Sequence, residues 1–382
     1  MKRAGRAKLP FAFHWMLLGK YALPGRILPI GQSRPTLPKG GCSKSVLSNL
    51  AIRVCVASFV LLNATSAFAQ EIVLRDLTRI SGVEVRDVDN SFLSLANNQK
   101  ISWDQVLQVQ VDPVWQAKIE QRIEKFGLPL YRLKHRLRQK NYRGAFEVAR
   151  DWYDNEELQF PGNETMFLVS RAVMLGRIDA GQAERALEPT VQALLLQQKC
   201  SREFLDSFPG LAFTEDEFRT DLCQDLSPVW SSADECSKQL IGIGEKFDLD
   251  QLVIEWPGLA VYFSSMAVHA SQRERMIVWS PAMGAIPQLR PWQRILGSNF
   301  SRVPLSVLIR DTEGSLRVST MYWWATAKDQ QASKADRVLT LLKIVANYDD
   351  QFPALSKMAL ARAIELTDDP IDKGILAGQP NR

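Results

Sequence analysis

Asn141-Tyr142-Arg143-Gly144-Ala145-Phe146-Glu147-Val148-Ala149 is the stretch whose reading decides the fold. Behind its Asn141, the residues Tyr142, Ala145, Phe146, Ala149 and Tyr153 recur at the three-and-four spacing of one helical face. Just upstream, Leu130, Leu133 and Leu137 form another such face. The link around Lys140-Asn141 is short, so the two predicted helices pack back to back as an antiparallel hairpin. Further out, Trp115, Ile119, Ile123 and Phe126 share a face, and Gly127 is expected to end that helix. Pro113 marks where the period changes, and residues 113–382 read as mainly α-helical.

The same words carry a resemblance. Asn141 to Ala149 resembles the turn and second helix of a tetratricopeptide repeat, a family with an aromatic after the turn and small residues where helices cross. Leu175-Gly176-Arg177, leading into Ala183, Ala186, Leu187, Val191, Leu194 and Leu195, is a second similar segment. A third has Val338, Leu341, Leu342 and Val345 on one face. After Phe352-Pro353 follow Leu355, Met358, Ala359, Ala363 and Leu366, closing at Asp369-Pro370. The segments do not repeat at the family's period of about 34 residues, and its Trp, Leu-Gly and Tyr positions are mostly absent. The resemblance covers roughly half of the chain from Gln70 onward. It implies helical hairpins stacked in a repeat-like array with a concave protein-binding surface.

Between these segments the pattern is irregular. Residues 199–235 contain Pro209-Gly210 and Thr214-Glu215-Asp216-Glu217, a capping-box sequence able to open a helix. Gly242-Ile243-Gly244-Glu245-Lys246 reads as a linker, and Leu259 to Ala270 as a helix. Residues 305–324 admit two readings. One is a β-hairpin turning at Asp311-Thr312-Glu313-Gly314; the other is a loop before a helix carrying Met321, Trp324 and Ala325. The helical surroundings favour the second.

Residues 70–112 have period two instead. Ile72/Leu74, Val83/Val85, Leu93/Leu95 and Leu107/Val109/Val111 alternate, with turn-rich pieces at Asp87–Ser91 and Ala96–Gln99. About five strands are expected, in a small all-β barrel-like unit similar to SH3-like or Sm-like modules. So small a unit buries little surface and is expected to pack on the helices behind it.

Residues 1–69 contain no Asp or Glu and ten Lys or Arg. The uncharged run Val54–Ala69 carries an apolar core and ends Ala67-Phe68-Ala69 before Gln70-Glu71. These are the parts of a secretory signal, with cleavage expected after Ala69. The apolar core is short of the ~20 residues a membrane span needs. Residues 1–45 are longer than an ordinary basic flank, so either the leader is extended or translation starts near Val46. Removing the leader lowers the 47 Lys and Arg by ten against an unchanged 42 Asp and Glu, and the formal charge moves from +5 to −5. A net negative chain does not attract polyanions, so nucleic acid is not an expected partner.

No constellation for catalysis is present. G-x-S-x-G, H-E-x-x-H, C-x-x-C and the P-loop pattern are absent. Only His135 and His269 follow the leader, so neither a catalytic, a cofactor-binding nor a metal-ligating set is assigned. His269 lies among Met266, Ala267, Val268 and Ala270 and reads as a core or boundary histidine. Of Cys200, Cys223 and Cys236, any two permit a disulfide, with Cys223–Cys236 slightly favoured over three buried thiols. Glu156-Glu157 and Asp349-Asp350 are carboxylate pairs better read as solvated caps than as acid–base partners. Two surface features stand out. The basic run Arg132, Lys134, His135, Arg136, Arg138, Lys140 and Arg143 reads as the wet face of a helix. Tyr322-Trp323-Trp324 either fills seams between helices or leaves one ring exposed as an anchor. The chain is expected to be an exported, non-enzymatic scaffold of the bacterial periplasm or envelope that binds another envelope or secreted protein. The alternative is an exported glycan-active or glycan-binding protein, with carboxylates and tryptophans gathered around residues 256–324.

Overall fold

The structure, a computed structural model, describes residues 70–89, 92–154, 162–230, 232–327 and 330–378. The leader with its cleavage site and the Glu156-Glu157 pair lie outside the described residues. The chain is mainly helical with a small antiparallel sheet region at its front, and no described helix is long and apolar enough to cross a membrane.

The front region has strands β1 (Glu71–Leu74), β2 (Arg79–Ser81), β3 (Val85–Val88), β4 (Phe92–Leu95), β5 (Lys100–Ser102) and β6 (Val106–Gln110). They form two antiparallel three-stranded sheets, ordered β2-β1-β6 and β3-β4-β5. The β4–β5 hairpin turns where Asn97-Asn98 predicts. Asn98 takes a positive φ of 64°, and the Asn97 side chain accepts from the Gln99 amide at 3.0 Å. The strict alternation expected for Leu107, Val109 and Val111 is broken. Ile72 pairs with Val109 and Leu74 with Val106, so a bulge leaves Leu107 without a partner and turns it outward at 42% exposure. One extra residue reverses the phase of a strand, so Val106 rather than Leu107 enters the core. That core gathers Ile72, Leu93, Ile101, Trp103 and Val106, and it takes in Ile119 and Phe126 from the first helical segment.

Helix α1 (Pro113–Arg122) starts where Asp112 accepts from the Val114 amide at 2.8 Å. It does not stop at Gly127. A wide turn over Ile123–Gly127 carries it into α2 (Leu128–Arg138), and Gly127 is helical at φ −64°, ψ −53°. Pro129 has no amide hydrogen to give, and a wider turn accommodates that loss. Gly127 serves packing instead: a Cβ there would lie 2.7 Å from the Trp103 carbonyl oxygen.

The deciding stretch forms as read. Lys140 takes a positive φ of 56°, Asn141 accepts from the Gly144 amide at 2.9 Å, and α3 (Tyr142–Tyr153) buries Ala145, Ala149 and Trp152. Helix α3 packs on α4 (Gly162–Asp179), which is buried from Phe167 through Gly176 and packs in turn on α5 (Ala183–Gln197). Short α6 (Arg202–Asp206) leads into an irregular stretch. There the Thr214–Glu217 capping bonds do form, the Thr214 amide giving to Glu217 Oε2 at 2.7 Å. They close a turn and open no helix. Residues beyond are held from outside instead: Arg171 reaches Asp225 at 3.0 Å, and Tyr262 donates to the Leu226 carbonyl at 2.8 Å.

The remaining helices are α7 (Ala233–Lys246), α8 (Leu249–Glu255), α9 (Leu259–His269), α10 (Arg273–Ala285), α11 (Arg290–Gly297), α12 (Leu305–Leu308), α13 (Gly314–Thr326), α14 (Lys334–Tyr348), α15 (Pro353–Leu366) and α16 (Pro370–Ala377). Gly242–Lys246 is the end of α7, not a linker, because Leu240 and Ile243 are buried on its inner face. Residues 305–308 and 314–324 are helical, in α12 and α13, with a turn between them and no strand hairpin. The favoured Cys223–Cys236 disulfide is absent; Cys200, Cys223 and Cys236 are free thiols. Cys223 sits in the irregular stretch under the Tyr262 hydroxyl, and Cys236 faces inward from α7. Burial pushes all three thiols upward, Cys200 to about 11, so they stay protonated near neutrality.

Candidate functional site

Two concavities mark the helical body. The first, about 830 Å³, lies between the start of α7, the end of α9, the start of α10, α11, the end of α13 and α15. Its walls are placed by helix ends. Helix α9 stops because Ser271 takes a positive φ of 61° while the Gln272 amide reaches back to the Ala267 carbonyl at 2.7 Å. That turn sets His269 on one side and Arg273 and Glu274 on the other. Residues 299–303 are tied to α13 by Trp324 Nε1 donating to the Val303 carbonyl at 3.1 Å and by Gln330 Nε2 donating to the Phe300 carbonyl at 3.0 Å. Arg302 is thereby held at the rim. Arg362 enters from α15.

The cavity's charge is opposite to that of the sequence from Gln70 onward, which is net negative. Arg273, Arg302 and Arg362 all line it, against the single carboxylate Glu274 among its described lining residues. Phe300 and Trp323 form an aromatic wall, their ring centres 5.7 Å apart. His269 makes no side-chain hydrogen bond among the described residues. Burial, and then the nearby positive charge of Arg362, lower its pKa to about 4. Near neutrality the ring is uncharged and offers one donor and one acceptor nitrogen.

This gives a measurable pH dependence. Unfolded, the imidazole takes its proton near pH 6.5, whereas in the fold it does so only near 4. Falling pH therefore favours the unfolded chain, so the stability from His269 is complete above the higher value and lost as pH falls toward the lower. Denaturant midpoints at pH 7.5 and pH 5 should drop less in His269→Gln than in the native protein. Equal drops would mean that the folded histidine titrates normally.

The second concavity, about 760 Å³, is a groove between the last turns of α7, the turn into α8, and α10. Trp279 lies in it and is fixed by its Nε1 donating to Asp250 at 2.8 Å. Ile241 and Val278 line it at 49% and 62% exposure. Ile254 on α8 and Ile277 on α10 are also exposed.

Compared with protein-family models, curated proteins and solved structures, the chain matches none.

The features singled out in the sequence are distributed as follows. Tyr322, Trp323 and Trp324 are all buried, because α13 is enclosed on every side from Val318 to Thr326, so no ring is an exposed anchor. Trp323 is nonetheless part of the first cavity's wall. The basic run is divided: Lys134 pairs with Asp104 at 2.8 Å, Arg136 donates to the Gly144 carbonyl, and Arg138 covers the Phe208 ring. Arg132, Lys140 and Arg143 are exposed. Asp349-Asp350 lie exposed where α14 ends. His269, read as a core or boundary histidine, is half-buried and lies on the cavity wall. The three arginines were not singled out, since they come from three separate segments and no short motif joins them.

Proposed function

We propose that the protein is an exported, non-enzymatic scaffold of the bacterial periplasm or envelope that binds another envelope or secreted protein, with its helical hairpins arranged as a repeat-like, tetratricopeptide-like stack. The observation that carries this reading is the groove floored by Trp279 and edged by Ile241 and Val278. Exposed branched apolar side chains grouped beside a groove support a docking reading. The partner's chemistry follows from the groove: an amphipathic helix presenting an apolar face, flanked by charge to suit Glu245 and Arg275 at the rim. The glycan-hydrolysing alternative asks for two facing carboxylates in residues 256–324, and the described wall of the larger cavity contributes only Glu274.

A photo-crosslinking residue at position 244, which lines the groove and has room for a side chain, in the full-length chain expressed in the cells that make it, tests the reading. One envelope protein should be captured reproducibly. Ile241→Asp combined with Val278→Asp should reduce capture about tenfold or more, as expected for loss of central apolar contacts. Both positions are exposed, so the fold should survive. Capture that ignores the two substitutions, or recovery of the chain on cell-wall glycan with no protein attached, would overturn it.

A further inference from the structure

The larger cavity has a role that the groove does not explain. We propose that it is a binding site for a small organic acid, whose oxyanion head is held by Arg273, Arg302 and Arg362 and whose apolar body lies against Phe300 and Trp323.

Charge is the first argument. From Gln70 onward the chain is net negative, yet three guanidinium groups from three elements meet in one concavity. Three cations lining one concavity favour an anion there. The protein supplies little counter-charge itself. Arg273 and Arg302 have no carboxylate within ion-pair distance among the described residues, and Arg273 is held only by a 3.3 Å bond from its Nη1 to the Ser298 carbonyl. Arg362 pairs through one nitrogen with Glu365, while its Nε is enclosed without a hydrogen-bond partner. Glu274 is the single opposing acid in the described wall.

Donor chemistry is the second argument. Guanidinium groups match the two oxygens of a carboxylate or phosphate face. Uncharged near neutrality, His269 adds a neutral hydrogen-bonding ring to the same wall without a further fixed charge. Size and lining are the third. About 830 Å³ lies within the range of small-molecule sites, and such sites pair an apolar wall with a few convergent polar groups. Phe300 and Trp323 supply the former, and both are nearly fully buried, so the wall is rigid.

Titration calorimetry on the full chain tests this with four probes: phenyl phosphate, benzoate, inorganic phosphate and neutral benzyl alcohol. At least one of the two aromatic acids should bind tenfold or more tightly than both the inorganic ion and the alcohol. Whichever acid binds better identifies the head as phosphate or carboxylate. Arg273→Gln and Arg302→Gln, both at exposed positions, should each weaken that probe about tenfold, the scale of a lost charge-assisted bond. The Ile241→Asp, Val278→Asp variant should bind it unchanged, which separates this site from the groove. Binding of the alcohol as tight as the acids, no binding of either acid, or arginine variants without effect would each overturn the proposal.

Discussion

Gly176→Ala should lower unfolding free energy by about 3 kcal/mol or more, at the upper end of what a single added methyl does in a packed core. Gly176 lies on α4 where α3 crosses it. A Cβ at this position would stand 2.3 Å from Phe146 Cβ and 2.8 Å from its Cγ. Contacts that short are not relieved by a rotamer change, because Phe146 Cβ is fixed to the α3 backbone. The helices would have to separate, and Ala145, Ala149 and the inner face of α4 from Phe167 to Met174 would lose contact together. Chemical denaturation of the single variants and of Gly176→Ala with Phe146→Gly, which alone removes the Phe146 Cβ, gives the check. With the phenylalanine already trimmed, the added methyl should cost less than in the native background. Equal cost in both backgrounds would place the strain elsewhere.

Trp230→Ala should cost about 3–5 kcal/mol, the range for emptying a fully buried large aromatic site. Trp230 is wholly enclosed, and its Nε1 donates to Ser265 Oγ at 2.6 Å. Ser265 in turn donates to the Tyr262 carbonyl at 2.9 Å, and the Tyr262 hydroxyl donates to the Leu226 carbonyl. One ring thus joins the irregular stretch before α7 to the middle of α9. Trp230→Phe separates the two contributions: it keeps much of the volume and removes the donor, so it should fall well short of the alanine variant. A phenylalanine variant as unstable as alanine would mean that the hydrogen bond dominates. Ser265 also lines the larger cavity, so the alanine variant should weaken aromatic-acid binding as well.

The sequence was most legible where structure is local. The Tyr142–Tyr153 face and the helix from Leu259 each follow from contacts within a few residues. It misled where a local signal served another purpose. Gly127 resembles a helix stop, but it is a glycine because the Trp103 carbonyl passes over it. Thr214–Glu217 has the bonds of a capping box and no helix behind it. The Gly242–Lys246 stretch has glycines enough for a linker, yet burial of Leu240 and Ile243 keeps it helical against their cost. In β6 the phase of alternation was set by a bulge opposite Val73–Leu74, which no property of β6 itself announces.

By itself, then, the sequence determined the two periods and the boundary near Pro113, because each is a property of neighbouring residues and the backbone geometry they favour. Tertiary structure alone decided that Tyr322, Trp323 and Trp324 are all enclosed and that the three cysteines remain thiols. It alone brought Arg273, Arg302 and Arg362 to one cavity. Those outcomes depend on which helix ends meet in space. That is set by the packing of buried faces across the whole chain, and short-range spacing carries no record of it.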